Sequence, residues 1–434
     1  MPPPDSQAAP AALFKDRNFF WLMAGGAVSM LGDQFTLFAL PWLVLKMTGD
    51  TVVLGIVLAL VSVPRALFIL VGGALVDRYS PKRVLLITKH VSTVLLALLA
   101  LGVFTGTLTL PIVYLLALGI GLASAFSIPS ATSMLPHAVR PEQLPAANGM
   151  MMGLRQLSMF LGPLLAGLLI ALFGDGSTGH VADAQGIAIA FGFDAFSFAL
   201  SAWTLAKVRT REAVPSPHTT QLAVWHSIAQ ALRHVAADAQ LRTCYLYWAA
   251  VAVLVLGPLQ IALPVLASSH PELGASALGI MAGAHGAGTL VGAAVAGGRP
   301  RFRLGTLGST VLVFDILIGL LFTPLGHIGS AWQGAALLAL VGVLGGSMQV
   351  AIFTWLQRRV PAAMMGRAMS LFMFIFMGLV PMASAATGWV LRYVTLAELF
   401  TGSGVLLVIA ALVASVATPM RSVSDPVAGA AFGK

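Results

Sequence analysis

Phe38-Ala39-Leu40-Pro41, followed by Leu54-Gly55-Ile56, returns in the second half of the chain as Ile261-Ala262-Leu263-Pro264, followed by Leu278-Gly279-Ile280. The spacings differ by one residue. Each segment straddles the junction of two long apolar runs, so the repeated object is a pair of neighbouring hydrophobic segments. A looser echo links Leu135-Pro136-His137-Ala138-Val139-Arg140-Pro141 with Leu356-Gln357-Arg358-Arg359-Val360-Pro361. Duplicated halves with the same in–out order imply a pseudo-twofold axis along the membrane normal, with a solute site between halves near the midplane.

Outward from the repeat, apolar runs fall at 19–45, 52–76, 84–104, 111–134, 146–172, 186–206, 243–267, 276–297, 304–322, 332–355, 367–390 and 396–417. A bilayer crossing takes roughly 20 apolar residues. Backbone groups in lipid must bond internally, so each run reads as a helix. Ten-residue alternating segments, the mark of a β-barrel, are absent. Of the 434 residues, 58% are hydrophobic and 9% charged, against about 25% charged in a soluble domain. The expected fold is an all-α membrane protein of twelve transmembrane helices in two pseudo-symmetric six-helix bundles. Its expected parts are a cytoplasmic tail 1–17, a first bundle 18–206, a linker 207–242, a second bundle 243–417 and a tail 418–434. The linker holds Pro215 and Pro217, then Trp225, Ile228, Leu232 and Val235 on one helical face. It reads either as a helix lying on the membrane surface or as an ordinary linker helix.

The net charge of +9 forms no single basic patch, so nucleic acid is not an expected partner. The charges read as topology instead. With the N-terminus in the cytoplasm, twenty Lys and Arg fall inside, Lys82, Arg83 and Lys89 among them, and only Lys46 and Arg392 outside. That is a strong positive-inside bias, and it places both termini in the cytoplasm of a multi-pass inner-membrane protein. The lone Cys244 excludes an internal disulfide. The first apolar run is too long for a signal peptide. No phosphate-binding glycine loop, metal-ligand spacing or nucleophile motif is present. The expectation is therefore no enzyme, no metal and no cofactor, with transport drawing on a gradient.

Gly73-Ala74-Leu75-Val76-Asp77-Arg78-Tyr79-Ser80-Pro81-Lys82-Arg83 resembles the signature between helices 2 and 3 of the major facilitator superfamily. Ser80 and Pro81 replace an expected Gly and basic residue. The resemblance implies that Asp77 helps latch a cytoplasmic gate against helix 11, near Gly366 and Arg367. The alternative is that Asp77, Arg78, Lys82 and Arg83 only set topology. Gly153 and Gly162-Pro163-Leu164-Leu165-Ala166-Gly167 resemble the helix 5 Gly-Pro motif of drug-efflux members; a proline kinks a helix, and the motif favours export. Ala125-Phe126-Ser127-Ile128-Pro129 and Asp194-Ala195-Phe196-Ser197-Phe198 are similar to the subgroup of macrolide-efflux proteins and the enterobactin exporter. Helix 4 departs from many drug–proton antiporters in lacking a membrane Arg.

Ionisable side chains inside a membrane are costly and functional by default. Six lie near helix midpoints: Asp33, Arg65, Arg155, Asp194, His285 and Asp315. The resemblance implies that helices 1, 4, 7 and 10 line the cavity and helices 2, 5, 8 and 11 border it. Asp33, Arg65 and Arg155 are then cavity residues. Asp194 and Asp315, on peripheral helices 6 and 9, are expected to be structural, bonded to neighbouring helix backbones. Asp33 is the expected protonation site, the alternative being a permanent pair with Arg65 or Arg155; His285 is second. Gln34, Ser124, Ser127, Gln260 and Gln349 complete the polar candidates, among apolar Met151, Met152, Phe372, Met373, Phe376 and Met377. The expected function is proton-coupled efflux of a small amphipathic organic compound, a drug or a siderophore, by a monomer in contact with membrane lipids. An importer on the same fold and a lipid flippase are the alternatives.

Overall fold

Each half of the chain opens on an aspartate cap. Asp16 accepts from the N–H groups of Asn18 at 2.9 Å and Phe19 at 3.3 Å. Asp238 accepts from those of Gln240 at 2.9 Å and Leu241 at 3.2 Å. These donors have no partner within their own helix, so the carboxylates fix where the first and seventh helices begin. The computed structural model describes residues 13, 16–173, 184–210, 233, 235–269, 273–298, 305–360, 368–369 and 371–424.

Among the described residues twelve helices are long and apolar enough to cross a bilayer, and none is a strand. They are α1 (Arg17–Thr48), α2 (Thr51–Tyr79), α3 (Pro81–Phe104), α4 (Leu110–Ala138), α5 (Leu144–Phe173), α6 (Gln185–Lys207), α7 (Ala239–Ser269), α8 (Gly274–Gly298), α9 (Leu307–Phe322), α10 (Ala331–Arg359), α11 (Leu371–Val390) and α12 (Leu396–Ala417). Each of the twelve expected runs holds one of these helices. Exposed Leu115, Leu172, Leu246 and Val416 are apolar side chains that lipid accepts, and the chain is a multi-pass membrane protein. The linker stretch with Trp225, Ile228 and Leu232 lies outside the described residues.

The turns are short and their backbone is special. Gly49 closes α1 at φ 63°. Ser80 alone joins α2 to α3, with Pro81 opening the next helix, and it sits at φ 98°. This is the position where the related motif carries glycine, and a serine there strains the backbone.

Two compact units form: Met1–Asp50 with Leu60–Thr219, and Thr51–Ala59 with Thr220–Lys434. The opening turns of α2 thus belong to the second unit, where Thr51 Oγ1 donates to Gly388 O at 2.8 Å. In unit 1, α1 packs on α5 and α6, and α3 on α4 and α6. A Cβ at Gly25 would overlap Thr204, and one at Gly32 would overlap Asp194 and Ser197. In unit 2 the tightest seam joins α8 to α10. Gly288 and Gly292 face the carbonyls of Ala339 and Val343, while Gly342 and Gly346 face those of His285 and Thr289. Two glycine pairs, each four residues apart, interlock, the arrangement that brings membrane helices to backbone contact.

Two π-helical turns interrupt unit 2, Ala252–Leu256 in α7 and Ile375–Leu379 in α11. Each lies just before a proline, Pro258 and Pro381. Proline lacks an N–H and clashes with the carbonyl four residues back. The local shift to wider turns accommodates it.

Candidate functional site

Four helices of unit 1 each bring one charge toward the middle of the bundle: Asp33 from α1, Arg65 from α2, Lys89 from α3 and Asp194 from α6. Gly32 is what lets α6 come close enough. Asp194 is 1% exposed. Its carboxylate accepts from Thr36 Oγ1 at 2.5 Å and Ser197 Oγ at 3.1 Å. The bonds run to side-chain hydroxyls, not to the neighbouring helix backbones that the sequence suggested.

Lys89 departs from the topological reading. It is 8% exposed, its ammonium donates to Ser29 Oγ at 3.2 Å, and it lies 5.0 Å from the centroid of the Phe198 ring. The helix starts at Pro81, so Lys89 is about 12 Å along it at 1.5 Å per residue. It belongs with the buried charges, not with the cytoplasmic ones.

Asp33 interacts electrostatically with Lys89, Arg65 and Asp194. The Asp33 side chain is exposed, whereas that of Asp194 is sealed. Arg65 is half-buried and its Nε has no hydrogen-bond partner. With all four groups ionised, two negative and two positive charges cancel. Neutrality of that kind is what makes a buried cluster tolerable at this depth.

The other expected residues are more dispersed. Gln34 packs against Gly162, where a Cβ would overlap its side chain; Pro163 and Gly167 are buried. Nothing lies within 4 Å of a Cβ at Gly153. Arg155 is exposed, and the cations that act on Asp33 are Lys89 and Arg65. Ser127 is half-buried, and Ser124 bonds Ile120 O within its own helix at 2.8 Å.

In unit 2, Gln260 is exposed, and its Oε1 accepts from Ser384 Oγ at 3.0 Å. His285 is half-buried on the α8–α10 seam and Gln349 is exposed on α10. Phe372 is buried in an aromatic cluster with Trp248, Phe353 and Phe376. Asp315 is fully buried, and among the described residues neither oxygen has a hydrogen-bond partner of good geometry. The expected bonds from it to helix backbones are not made. The Tyr247 hydroxyl, also without a hydrogen-bond partner, is near enough to interact with it.

Of the loop after α2, Lys82 has a defined task. Its ammonium donates to Ala206 O at 3.0 Å and Val208 O at 2.7 Å, neutralising the negative C-terminal end of α6. Arg83 is exposed. The side chains of Gly73, Asp77 and Arg78 lie outside the described residues, as do Gly366 and Arg367. A further bond, in unit 2, left no mark in the sequence: Arg359 grips Asp238 Oδ2 through Nε at 3.0 Å and Nη2 at 2.8 Å. Burial works against the charged form of Asp238. The bond from Arg359 and the N–H groups of Leu241 and Gln240 outweigh it and hold the carboxyl below its ordinary value.

The sequence model of the Major Facilitator Superfamily matches residues 22–385. The enterobactin exporter EntS of Shigella boydii serotype 4 (strain Sb227) is 26% identical over 336 residues, 76% of this chain and 74% of that protein. EntS of Escherichia coli O139:H28 (strain E24377A / ETEC) is 26% identical over the same length. Among solved structures, a bacterial homologue of the iron transporter ferroportin in an inward-facing state superposes with a TM-score of 0.68 at 18% identity, over 91% of this chain and 98% of that one. The nucleoside transporter NupG gives 0.67 at 13% identity, over 91% and 97%. At these identities the structural likenesses show the fold.

Proposed function

This chain belongs to the Major Facilitator Superfamily, a family of transporters, and we propose that it is a proton-driven exporter of a small amphipathic organic compound, a drug or a siderophore. The observation that carries this reading is Asp33: an exposed carboxylate at mid-helix, opposed by the cations Lys89 and Arg65. Such a group can gain and lose a proton, and its neighbours register the change. The likeness to enterobactin exporters supports outward transport of a siderophore-like compound. Gly162, packed against Gln34 beside Pro163, supports the same direction through its likeness to the export motif. The protein works by alternating access in the inner membrane, with both termini in the cytoplasm and no cofactor. Energised inverted vesicles test the direction. Exporting activity accumulates a catecholate siderophore, a macrolide or a dye inside them. Accumulation in right-side-out vesicles instead would mean import and sink the reading.

A further inference from the structure

The sequence singles out Asp33 as the protonation site, reads Asp194 as structural and counts Lys89 with the cytoplasmic charges. Asp194 is sealed from water and held by two hydroxyl donors, Thr36 and Ser197. Lys89 has three N–H donors and makes one hydrogen bond among the described residues, to Ser29. It interacts electrostatically with both carboxylates, Asp33 on α1 and Asp194 on α6. Arg65 on α2 acts on Asp33 only. Of the other titratable side chains on the packed helices α4 and α5, Tyr114, His137 and Arg155, none acts on any of the three.

One buried ammonium thus acts on two carboxylates, one exposed and one sealed. A buried ammonium with two donors to spare costs less the closer it lies to a free carboxylate. A lysine on a flexible four-carbon stem can redistribute between two such partners.

We propose that Lys89 and Asp194 are positioning residues of the coupling centre, with Lys89 acting as a tethered counter-cation shared between Asp33 and Asp194. When Asp33 is ionised, Lys89 is drawn toward it. When Asp33 takes a proton from water, the Lys89 charge falls to Asp194, and the cluster needs no ion from outside to stay paired. The shift moves α3 and α6 relative to α1 in their preferred side-chain contacts, which links proton loading to helix packing. This rests on the reading that Asp33 carries the proton, and it adds that the response is set by α3 and α6.

The test uses a hydrophobic carbodiimide, which modifies protonated membrane carboxyls, with mass spectrometry reading the extent at Asp33. The full chain is used at pH 7.5 without substrate. Removing a cation that acts on a carboxylate changes its proton occupancy by about tenfold or more, so Lys89→Met is expected to raise Asp33 modification severalfold. Asp194→Asn is expected to lower it, and Lys89→Arg to leave it near wild type. The double variant Lys89→Met/Asp194→Asn, which removes one charge of each sign, is expected within about twofold of wild type and covers the case in which Lys89→Met fails to fold. Asp33 modification equal to wild type in Lys89→Met or in Asp194→Asn, whichever folds, would overturn the proposal. Because no transport is measured, that failure is separate from a failure of the export reading, which accumulation in inverted vesicles decides.

Discussion

Substitution of alanine at Gly346 and at its neighbour Gly345 separates helix packing from helix propensity within one turn of α10. A Cβ at Gly346 would overlap the Thr289 carbonyl, backbone atoms that cannot rotate away, while a Cβ at Gly345 meets nothing within 4 Å. Both changes gain the same intrinsic helix preference, about 1 kcal/mol, which cancels when the two variants are compared. What remains is the cost of forcing α8 and α10 apart by about 1 Å, and overpacking of that kind costs about 1–3 kcal/mol. At about 2–4 °C per kcal/mol, Gly346→Ala should melt at least about 2 °C below Gly345→Ala. Tryptophan fluorescence during heating in detergent reads the difference. If Gly346→Ala melts level with Gly345→Ala or above it, the α8–α10 seam is not the close backbone contact described, and the reasoning about the interlocked glycines fails.

Two further perturbations probe the turns and caps. Ser80→Gly relieves a positive φ and should stabilise the protein by about 1 kcal/mol, read as a higher melting temperature. Asp238→Asn keeps a capping side chain but removes the charge gripped by Arg359. Because the folded carboxyl is held below its ordinary value of 3.8, its stabilising contribution is fully present above that value and is lost as pH falls through the folded one. The melting difference between wild type and Asp238→Asn should therefore be constant from pH 7 to about 4 and shrink below it.

The twelve helices were legible because lipid leaves a chain so little choice: long apolar runs must close their own hydrogen bonds. The repeat around Pro41 and Pro264 carried the duplication, and Asp16 and Asp238 extend it to the opening caps. The replacement of glycine by Ser80 was visible as a departure from the motif, and the structure gives its physical meaning as a left-handed residue. Lys89 was not legible. It stands a few residues after Lys82 and Arg83, and only the start of α3 at Pro81 reveals that its ammonium is inside the bundle. The Asp194–Thr36 bond joins residues 158 apart, and no local pattern announces it. The interlocked glycines were hidden by number: with 45 glycines in the chain, which ones meet a backbone depends on helix rotation. Arg155 shared the mid-helix position of Asp33 in the sequence, yet it faces elsewhere, for the same reason.

The most direct measurement is proton movement in proteoliposomes holding an imposed gradient of a catecholate siderophore, with dyes and macrolides in parallel, comparing wild type with Asp33→Asn. The account predicts substrate-dependent proton flux in the wild type with one ligand class and its loss in Asp33→Asn. Substrate transport at full rate with undiminished proton flux in Asp33→Asn, or with none in the wild type, would contradict it.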